Sequence, residues 1–434
     1  VLASDGDLME GIASESASLA GHLGLGKLIL FYDSNRITIE GSTDLAYSDD
    51  VAKRFEGYGW HVQSCSAYDF VQIKSLAEKA KAESDKPSII ILDSTIARGA
   101  ATMEGSADSH GAPLGAKEIE ATKKKLGIPA DSSFYIHPGA LDYFSNGMGA
   151  RVKEYESWKE RFNTWAKKYP DLHLRWKLSF ESEAQKEKAR TAQLPVFSTG
   201  DNIATRSAGG TILNALAAEF PNFTGGSADL GPSNKTTLKG LGDFLKNNPA
   251  GRNMHFGIRE HSMAGICNGM ALHGGIRPFC ATFLIFSDYM RPSIRLASLM
   301  KQPVIYIFTH DSVYVGEDGP THQPVEQLTA LRIIPGMTVL RPADAEETAE
   351  ALRLAMMKTD GPVAVALTRQ NVPVFPKDDT SWKENVSRGA YVVKSVNDPE
   401  LVIIATGSEV HLALEAANRF SGRRIQVVSL FSRE

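Results

Sequence analysis

Short apolar runs alternate with amphipathic stretches along the first part of the chain. The apolar runs predict strands at residues 1–3, 27–32, 61–66 and 88–93. Stretches with apolar side chains at helical spacing predict helices at residues 8–23, 48–58 and 70–83. Because strands that alternate with helices form parallel sheets covered by helices, we predict an α/β fold with parallel sheets flanked by helices.

A charged, helix-prone segment at residues 151–192 separates this region from a second α/β region that begins near Pro195. Apolar runs of the second region predict strands at residues 223–225, 254–257, 304–309, 338–340 and 363–367. After a polar stretch at residues 373–383, a last strand, helix and strand are predicted at residues 401–405, 411–420 and 425–430. These breaks predict consecutive segments at residues 1–150, 151–194, 195–385 and 386–434.

The charge balance does not favour a nucleic-acid or membrane partner. Lys and Arg number 47 against 51 Asp and Glu, so the formal net charge is −4, and no basic excess is present to attract polyanions. No apolar run approaches the roughly 18 residues of a transmembrane helix. Cys65, Cys267 and Cys280 lie far apart with no CxxC spacing, so we expect reduced thiols in a cytoplasmic protein.

Both ends of the sequence fall in apolar runs of strand type. The chain opens with VLASDG and closes with RIQVVSLFSRE. We therefore expect this sequence to be part of a longer chain, and any targeting signal, including one for a plastid, would lie outside it.

Polar residues follow two successive strands predicted in the first region. Asp5-Gly6 comes after the first strand, and Asn35 comes just past the second. Because a helix connects these strands, both positions should lie at the carboxyl edge of a parallel sheet, where such sheets bind ligands. A carboxylate, an amide oxygen and a carbonyl suit Mg²⁺, and the following helix N-terminus suits a phosphate. By spacing alone, this pattern is weak evidence, and a turn with a capping residue is the favoured interpretation.

Glu260 lies where a predicted strand of the second region runs into an Ala- and Gly-rich helix. Downstream, Phe283, Phe286 and Tyr289 recur at intervals of three residues. A carboxyl in an apolar pocket has a raised pKa and can exchange protons near neutral pH. A salt bridge of Glu260 with Arg259, and ordinary core packing of the aromatic residues, are the alternatives for these two features.

A long polar loop follows the predicted strand at residues 304–309. Its sequence, THDSVYVGEDGPTHQPVEQL, is rich in Gly and Pro. A loop of this length, which is costly to order, usually carries function.

Taken together, these strings resemble the transketolase family over the full length of the chain. The resemblance rests on SDGDLMEGIASE, LGKLILFYDSNRITIEG, DSHGAPLG, GGSADLGPSN, MHFGIREHSMAGICNGMALHGG, CATFLIFSDYMRPSIR, the polar loop and LTRQN. It implies a thiamine-diphosphate-binding fold with consecutive diphosphate-binding, pyrimidine-binding and C-terminal domains. These would occupy residues 1–150, 195–385 and 386–434, with the helical linker at 151–194. The first and last domains would be incomplete.

The resemblance also implies roles for individual residues. The metal ligands would be the side chains of Asp5 and Asn35 and the carbonyl of Ile37. Cofactor contacts are implied at Gly6, Glu10, Ile39, His110, Asp229, Phe283, Phe286 and Tyr289. Sugar-phosphate contacts are implied at Arg206, Ser233, His310, Asp318, His322 and Arg369. Catalytic roles are implied for Glu260, as proton partner of the pyrimidine ring, and for His322 and His110.

Three positions depart from the family pattern, and they bear on the site. Ser4 stands where the family usually has Gly, at the turn before Asp5. Ala107 replaces a family His, so only His110 of that loop carries over. Tyr314 occupies a position that is usually small, at the predicted mouth of the cleft.

The implied function is transfer of a two-carbon ketol unit from a ketose phosphate, such as xylulose 5-phosphate or sedoheptulose 7-phosphate, to an aldose phosphate. The implied cofactors are thiamine diphosphate, which carries the unit as a carbanion, and Mg²⁺ or Ca²⁺. The implied assembly is a homodimer with active sites between subunits. Dihydroxyacetone synthase, which uses formaldehyde as acceptor, and a non-catalytic transketolase-like fragment are the alternatives. Deoxyxylulose-phosphate synthase fits GGSADLGPSN and LTRQN less well.

Overall fold

The computed structural model describes residues 1–420 and 422–434. It contains two compact units, Val1–Tyr169 and Pro170–Glu434. Each unit has its own parallel sheet with helices packed against it, which confirms the predicted α/β class.

The first unit alternates strands and helices until its last two helices. Its strands are β1 (Leu2–Ser4), β2 (Ile29–Ser34), β3 (Ile37–Thr38), β4 (Gly41–Ser42), β5 (His61–Ser66) and β6 (Ser88–Asp93). Its helices are α1 (Asp5–Met9), α2 (Gly11–Leu23), α3 (Val51–Gly57), α4 (Phe70–Ala82), α5 (Ala116–Leu126) and α6 (Pro138–Lys168). Short 3₁₀ turns occupy Thr43–Leu45 and Ala107–Ser109.

The main sheet of the first unit is parallel, with strand order β1-β2-β6-β5. Leu30, Phe55, Trp60 and Ile89 are buried together on one face, and the Trp60 indole donates to the Ala17 carbonyl at 2.9 Å. Burial of these aromatic and branched side chains holds α2 and α3 on the sheet.

The second unit begins with two helices and continues with a long alternation. Its strands are β7 (Asn202–Ala204), β8 (Phe223–Ser227), β9 (Asn253–His255), β10 (Arg277–Phe283), β11 (Ile305–Thr309), β12 (Thr338–Leu340), β13 (Val363–Leu367), β14 (Asn371–Pro373), β15 (Ala390–Lys394), β16 (Leu401–Ala405) and β17 (Ile425–Leu430). Its helices are α7 (Pro170–Phe180), α8 (Ser182–Thr191), α9 (Thr205–Glu219), α10 (Gly231–Asn234), α11 (Glu260–His273), α12 (Ser287–Leu299), α13 (Gln327–Arg332), α14 (Ala345–Met357), α15 (Trp382–Val386) and α16 (Glu409–Arg419). Short 3₁₀ turns occupy Leu284–Phe286 and Pro320–His322.

The central sheet of this unit is parallel, with strand order β12-β13-β11-β10-β8-β9. Every residue of β10, β11 and β13 is buried, as expected for parallel strands with helices on both faces. Gly225 and Gly226 of β8 face neighbouring strands so closely that a Cβ would lie 2.0 and 1.7 Å from backbone oxygens. A smaller sheet, β15-β17-β16, follows at the end of the chain.

Most predicted elements are confirmed, and the exceptions have local causes. The helix predicted at residues 8–23 is wrong as a single helix, because extended backbone at Glu10 (ψ 135°) separates α1 from α2. The strand predicted at 27–32 begins two residues later, at Ile29. Helix α6 begins at Pro138, earlier than the helical segment predicted from residue 151, because Pro138 at N1 and the His137 cap start a helix there.

Two further expectations concern membranes and cysteines. Among the described residues, no helix is long and apolar enough to cross a membrane. All three cysteines are free in the structure. Cys267 and Cys280 are fully buried, and burial raises the pKa of the Cys280 thiol well above its ordinary value.

Candidate active site

Asp5 is a buried carboxylate at the carboxyl edge of the first sheet. It follows β1 directly and is only 1% exposed. The Tyr32 hydroxyl donates to Oδ1 at 2.5 Å, and the backbone amides of Asn35 and Arg36 donate to Oδ2 at 3.1 and 2.9 Å. Burial, and then the hydrogen bond to Asp5, raise the pKa of Tyr32, so the hydroxyl stays protonated and continues to donate.

Asn35 lies beside Asp5 because β1 and β2 are parallel neighbours that end together, with Ser4 opposite Asp33. The chain turns sharply after Asn35, where Arg36 has a φ of 61°. The backbone amide of Ile37 then donates to the Asn35 side-chain oxygen at 3.0 Å. The structure therefore brings together Asp5, Asn35 and Ile37, the three residues predicted to bind the metal.

The surroundings of Asp5 fit a cation. Among the ion pairs of the described residues, none involves Asp5, so its buried negative charge is balanced only by neutral donors. Isolated buried charges are costly, and such a carboxylate is best balanced by a cation with oxygen ligands. The described residues contain no cluster of three or more His, Cys, Asp or Glu. The predicted set differs from such clusters because it has one carboxylate, one amide and one carbonyl.

The other candidate residues of the first unit lie at exposed positions. All three of the following residues are exposed: Gly6 near the start of α1, Glu10 between α1 and α2, and Ile39 just beyond β3. His110 is exposed at the end of a 3₁₀ turn, and its amide donates to the Ala107 carbonyl at 2.9 Å. Among the described residues no hydrogen bond joins His110 to Asp5. The roles that the resemblance implies for these residues stay predictions.

His310 is the most constrained residue at the carboxyl edge of the second sheet. It follows β11, is 3% exposed, and has a φ of 60°, a left-handed conformation that is unusual for a residue other than Gly. Its Nδ1 lies 2.8 Å from the Thr309 hydroxyl, which itself donates to the Asn234 side-chain oxygen at 2.7 Å. Because the single hydroxyl proton is used there, His310 Nδ1–H donates to Thr309 and Nε2 is left as an acceptor.

Two arginines influence His310, one by contact and one by its charge. Arg206 Nη1 donates to the Ser233 carbonyl at 2.9 Å and lies 3.5 Å from His310 Nε2. Burial, and then the charges of Arg206, Arg369 and His322, lower the pKa of His310 to about 3, so this imidazole is neutral at ordinary pH. Burial and the charge of Arg369 also lower the pKa of Arg206.

This group of side chains fits an anion. The buried Nε of Arg206 has no hydrogen-bond partner among the described residues, and Arg369 faces the well-exposed Glu317, at 3.7 Å. Guanidinium groups whose donors are not all used are suited to a phosphate, because their planar donors match its oxygens. The structure thus brings together Arg206, Ser233, His310 and Arg369, which are separated widely in sequence.

Aromatic rings form a wall beside these cationic groups. The ring of Phe283, at the end of β10, lies 3.7 Å from that of His310 and 6.0 Å from that of Phe286. His322 approaches the same wall, with its ring 5.3 Å from Phe286. Tyr289 continues the row 6.0 Å from Phe286, but its side chain is 64% exposed. A planar ring could stack on this wall.

Glu260 is the first residue of α11 and is 8% exposed. Helix α11 is held against α12, which follows the aromatic wall, because the Asn268 amide donates to the Ser293 carbonyl at 2.8 Å. The guanidinium of Arg259 donates to the Phe256 carbonyl at 3.0 Å.

Two further predicted residues are exposed. Asp229, with a φ of 61°, follows β8, and Asp318 lies in the loop that follows β11.

Sequence reasoning missed the polar residues that support His310. Asn234 and Thr309 form the hydrogen-bonded pair that orients the imidazole, and Asn234 also donates to Ser227 at 2.9 Å. The only sequence signal was their position next to two predicted ligands, Ser233 and His310. Nothing in the spacing of residues 234 and 309 indicated that their side chains meet.

Three family models match the chain in succession. Residues 1–184 match "Transketolase, thiamine diphosphate binding domain", residues 201–374 match "Transketolase, pyrimidine binding domain", and residues 389–434 match "Transketolase-like TK C-terminal domain". The first two models include the carboxyl edges that carry Asp5 and His310. A fold of two successive parallel sheets with these matches defines a thiamine-diphosphate-dependent class of protein.

Individual relatives agree with this class. The transketolase of Treponema pallidum is 49% identical over all of this chain, and the chain covers 66% of that protein. The solved structure of the Leishmania mexicana transketolase has a TM-score of 0.94 at 39% identity, covering 100% of this chain and 64% of that one. A Pichia stipitis transketolase in complex with sedoheptulose 7-phosphate has a TM-score of 0.93 at 37% identity, covering 100% and 65%.

These matches place the chain in a named family. The chain belongs to the transketolase family. It spans slightly less than two thirds of the length of the relatives that it matches.

Proposed function

We propose that the protein containing this chain is a transketolase, which transfers a two-carbon ketol unit from a ketose phosphate to an aldose phosphate. The observation that carries this proposal is the cluster of Arg206, Arg369, His310 and His322 beside the ring of Phe283. This arrangement offers a phosphate subsite next to an apolar wall. The Pichia stipitis relative bound to sedoheptulose 7-phosphate supports a sugar phosphate as the ligand.

The first unit would hold the diphosphate through a divalent cation, Mg²⁺ or Ca²⁺. Asp5, the Asn35 side chain and the Ile37 carbonyl would be its protein ligands, because they converge and only neutral groups donate to Asp5. When bound, thiamine diphosphate supplies an electron sink for the negative charge that develops on the transferred unit. Gly6, at the start of α1, would let a phosphate approach the backbone amides of the helix N-terminus.

The second unit would orient a planar pyrimidine ring and the sugar. Glu260, buried at the start of α11, would hold a proton at a ring nitrogen of that pyrimidine. Phe283 and Phe286 would stack against the ring. His322 would exchange a proton with the ketol oxygen of the substrate, and Asp318 would accept a hydrogen bond from a sugar hydroxyl.

Three wider features belong to the same proposal. Glu10 and Asp229 would contribute to a homodimer in which active sites lie between subunits, and His110 and Ile39 would contact the cofactor. The protein would act in the cytoplasm on soluble sugar phosphates. These assignments rest on the resemblance of the local sequences to the family.

An assay of two-carbon transfer tests the proposal in the protein that contains this chain. Xylulose 5-phosphate and ribose 5-phosphate are supplied with thiamine diphosphate and Mg²⁺, and glyceraldehyde 3-phosphate release is followed. We expect activity that chelation of the metal abolishes, and a loss of about 100-fold or more in Glu260→Gln, the range for removal of a general acid–base group.

Two controls sharpen this assay. Formaldehyde in place of ribose 5-phosphate tests the acceptor, and preference for formaldehyde would contradict the proposal. The matched acid for Glu260 is Glu326, an exposed residue of the same unit that immediately precedes α13. Glu326→Gln is expected to keep full activity, and equal losses in both variants would remove Glu260 from the mechanism.

A further inference from the structure

Arg341 is a buried arginine at the same carboxyl edge as His310 and Arg369. It follows β12 directly and is 5% exposed. Strands β12, β13 and β11 are adjacent and parallel, so the residues that follow them line one edge. Unlike Arg206 and Arg369, however, Arg341 is saturated by carboxylates, so it is not a candidate ligand for an anion.

The guanidinium of Arg341 joins two distant parts of the second unit. Its Nε donates to Asp311 Oδ2 at 2.8 Å. Its Nη2 donates to Glu409 Oε1 at 3.2 Å, and its Nη1 donates to Glu409 Oε2 and to the Thr406 carbonyl, the latter at 3.1 Å. Asp311 follows His310, whereas Glu409 begins α16 in the segment that matches the C-terminal domain model.

The fit around this guanidinium is tight. The Asp311 side chain is fully buried, and Arg341 is its ion-pair partner. A Cβ on Gly407 would lie 2.7 Å from Arg341 Nε, so a larger residue there would displace the arginine. Burial raises the pKa of Asp311, and the nearby charge of Arg341 opposes this effect.

Asp311 is in a position to determine the conformation of His310. The φ of 60° at His310 is strained for a residue with a Cβ, and such backbone persists only where its surroundings hold it. On one side His310 is held by Thr309 through Nδ1. On the other side the chain is held by the buried side chain of Asp311, which Arg341 anchors.

We propose that Arg341 is a positioning residue of the phosphate subsite: it ties Glu409 of the C-terminal segment to Asp311 and thereby holds His310 with Nε2 facing Arg206. The C-terminal segment thus contributes to phosphate recognition without touching the ligand. This inference rests on the proposed function, because it assigns a role within the phosphate subsite. Arginine is needed because its fork serves two carboxylates in fixed directions, which the single ammonium of lysine does not.

A second contact between the same parts of the chain supplies a matched control. The hydroxyls of Tyr391 in β15 and Ser429 in β17 donate to Glu347 Oε1 of α14 at 2.8 and 2.9 Å. This contact also anchors the C-terminal segment, but it involves neither Asp311 nor His310. Tyr391→Phe should therefore weaken the anchoring without a specific effect on the phosphate subsite.

The test compares binding of D-ribose 5-phosphate and D-ribose by the full chain and its variants. Glu409→Gln is the principal variant, because it keeps the Arg341–Asp311 pair and its side chain is 41% exposed. Arg341→Lys is the stronger variant. Affinity is measured by ³¹P NMR titration and by calorimetry, the ring environment of His310 by the NMR shift of its Cε1–H, and stability by thermal unfolding.

We expect Glu409→Gln to weaken ribose 5-phosphate binding about fivefold and Arg341→Lys about tenfold, within the range of couplings measured in ion-pair networks. Both should shift the His310 signal. Tyr391→Phe should lower thermal stability, keep the His310 signal and bind ribose 5-phosphate within about twofold of the wild type.

Three outcomes would overturn the inference. If Glu409→Gln and Arg341→Lys bind ribose 5-phosphate as the wild type does, Arg341 has no positioning role and the proposed function stands. If Tyr391→Phe weakens binding as much as they do, the effect is general destabilisation. If the wild type does not distinguish ribose 5-phosphate from ribose, the phosphate subsite itself is wrong, and the inference falls with it.

Discussion

Each of the two candidate sites lies at the carboxyl edge of its own parallel sheet, but the side chains at the two edges carry opposite charges. In the first unit, Asp5 presents a buried carboxylate that only neutral donors contact. In the second unit, Arg206 and Arg369 present positive charge beside the neutral imidazole of His310. The first arrangement suits a cation and the second suits an anion.

This difference shows what the sheet edge provides and what it leaves to the side chains. The carboxyl ends of parallel strands bring together residues distant in sequence, whatever their charge. The sign of the ligand's charge is decided by the side chains that surround each edge. A charge that its surroundings do not fully balance is costly to bury, so each cluster favours a ligand of the opposite charge.

The largest expected effect comes from removing the negative charge of the first site. Asp5→Asn keeps the size of the side chain but removes the only carboxylate of the predicted metal set. Because loss of even an indirect partner of a metal costs about 10–100-fold in affinity, we expect Mg²⁺-dependent binding of thiamine diphosphate to weaken about 100-fold or more. Isothermal titration calorimetry with and without Mg²⁺ measures this change.

Asp7→Asn is the matched control for that variant. Asp7 lies in the same helix and is exposed, and its Oδ2 accepts the Ser4 amide at 2.8 Å. Because Asn keeps a side-chain oxygen that can accept this amide, the replacement should change helix capping little and leave the metal-dependent affinity unchanged. Unchanged affinity in Asp5→Asn would mean that the first site does not hold the cation.

An intermediate effect is expected from removing one positive charge of the second site. Arg206→Gln should weaken binding of ribose 5-phosphate about 10- to 100-fold, because a hydrogen bond to a charged group contributes about 1.5–3 kcal/mol. Binding of unphosphorylated ribose should change little. Comparison of the two sugars by calorimetry gives the ratio directly.

Arg252→Gln is the matched control in this unit. Arg252 is also partly buried, but it donates to the carbonyls of Ala217, Phe220 and Phe223 and faces no ligand cluster. Its loss should reduce stability and leave the discrimination between the two sugars intact. If Arg206→Gln weakens both sugars equally, the second site does not recognise the phosphate.

The smallest expected effect concerns the protonation of His310. Its pKa is lowered to about 3 by burial and then by the charges of Arg206, Arg369 and His322. A bound phosphate would offset those charges, so ribose 5-phosphate should raise the pKa of His310, by about one unit if it supplies about 1.4 kcal/mol. NMR titration of the His310 ring measures this pKa with and without the sugar phosphate.

The same pKa has a consequence for stability. The unfolded chain binds this proton more readily than the folded chain, because an unperturbed His has a pKa of about 6.5. The contribution of neutral His310 to the free energy of unfolding is therefore complete above about pH 6.5. It is lost progressively as the pH falls from about 6.5 towards about 3. His310→Asn should flatten this part of the curve of unfolding free energy against pH. An unchanged curve, or an unshifted His310 pKa, would contradict the electrostatic description of the second site.

Local patterns in the sequence were sufficient for most strands and for the proximity of Asp5 and Asn35. Strands such as β6 and β13 have the predicted bounds, because continuous apolar runs between turns are typical of parallel sheets. The adjacency of Asp5 and Asn35 also followed from the sequence, because one helix connecting two strands makes a parallel crossover. The break at Glu10 did not follow, since helical spacing continues across it.

Tertiary structure decided which charged residues meet and what each of them does. Arg206, His310 and Arg369 could be grouped only through the family resemblance, because more than a hundred positions separate the first two. The resemblance assigned Arg206 and Arg369 to a sugar phosphate, whereas the assignment of Arg341 to two carboxylates came only from its contacts. All three are arginines near strand ends, and their position after a strand does not by itself distinguish them. Whether a buried charge serves a ligand or the fold depends on the partners that the folded chain brings to it, and those partners are distant in sequence.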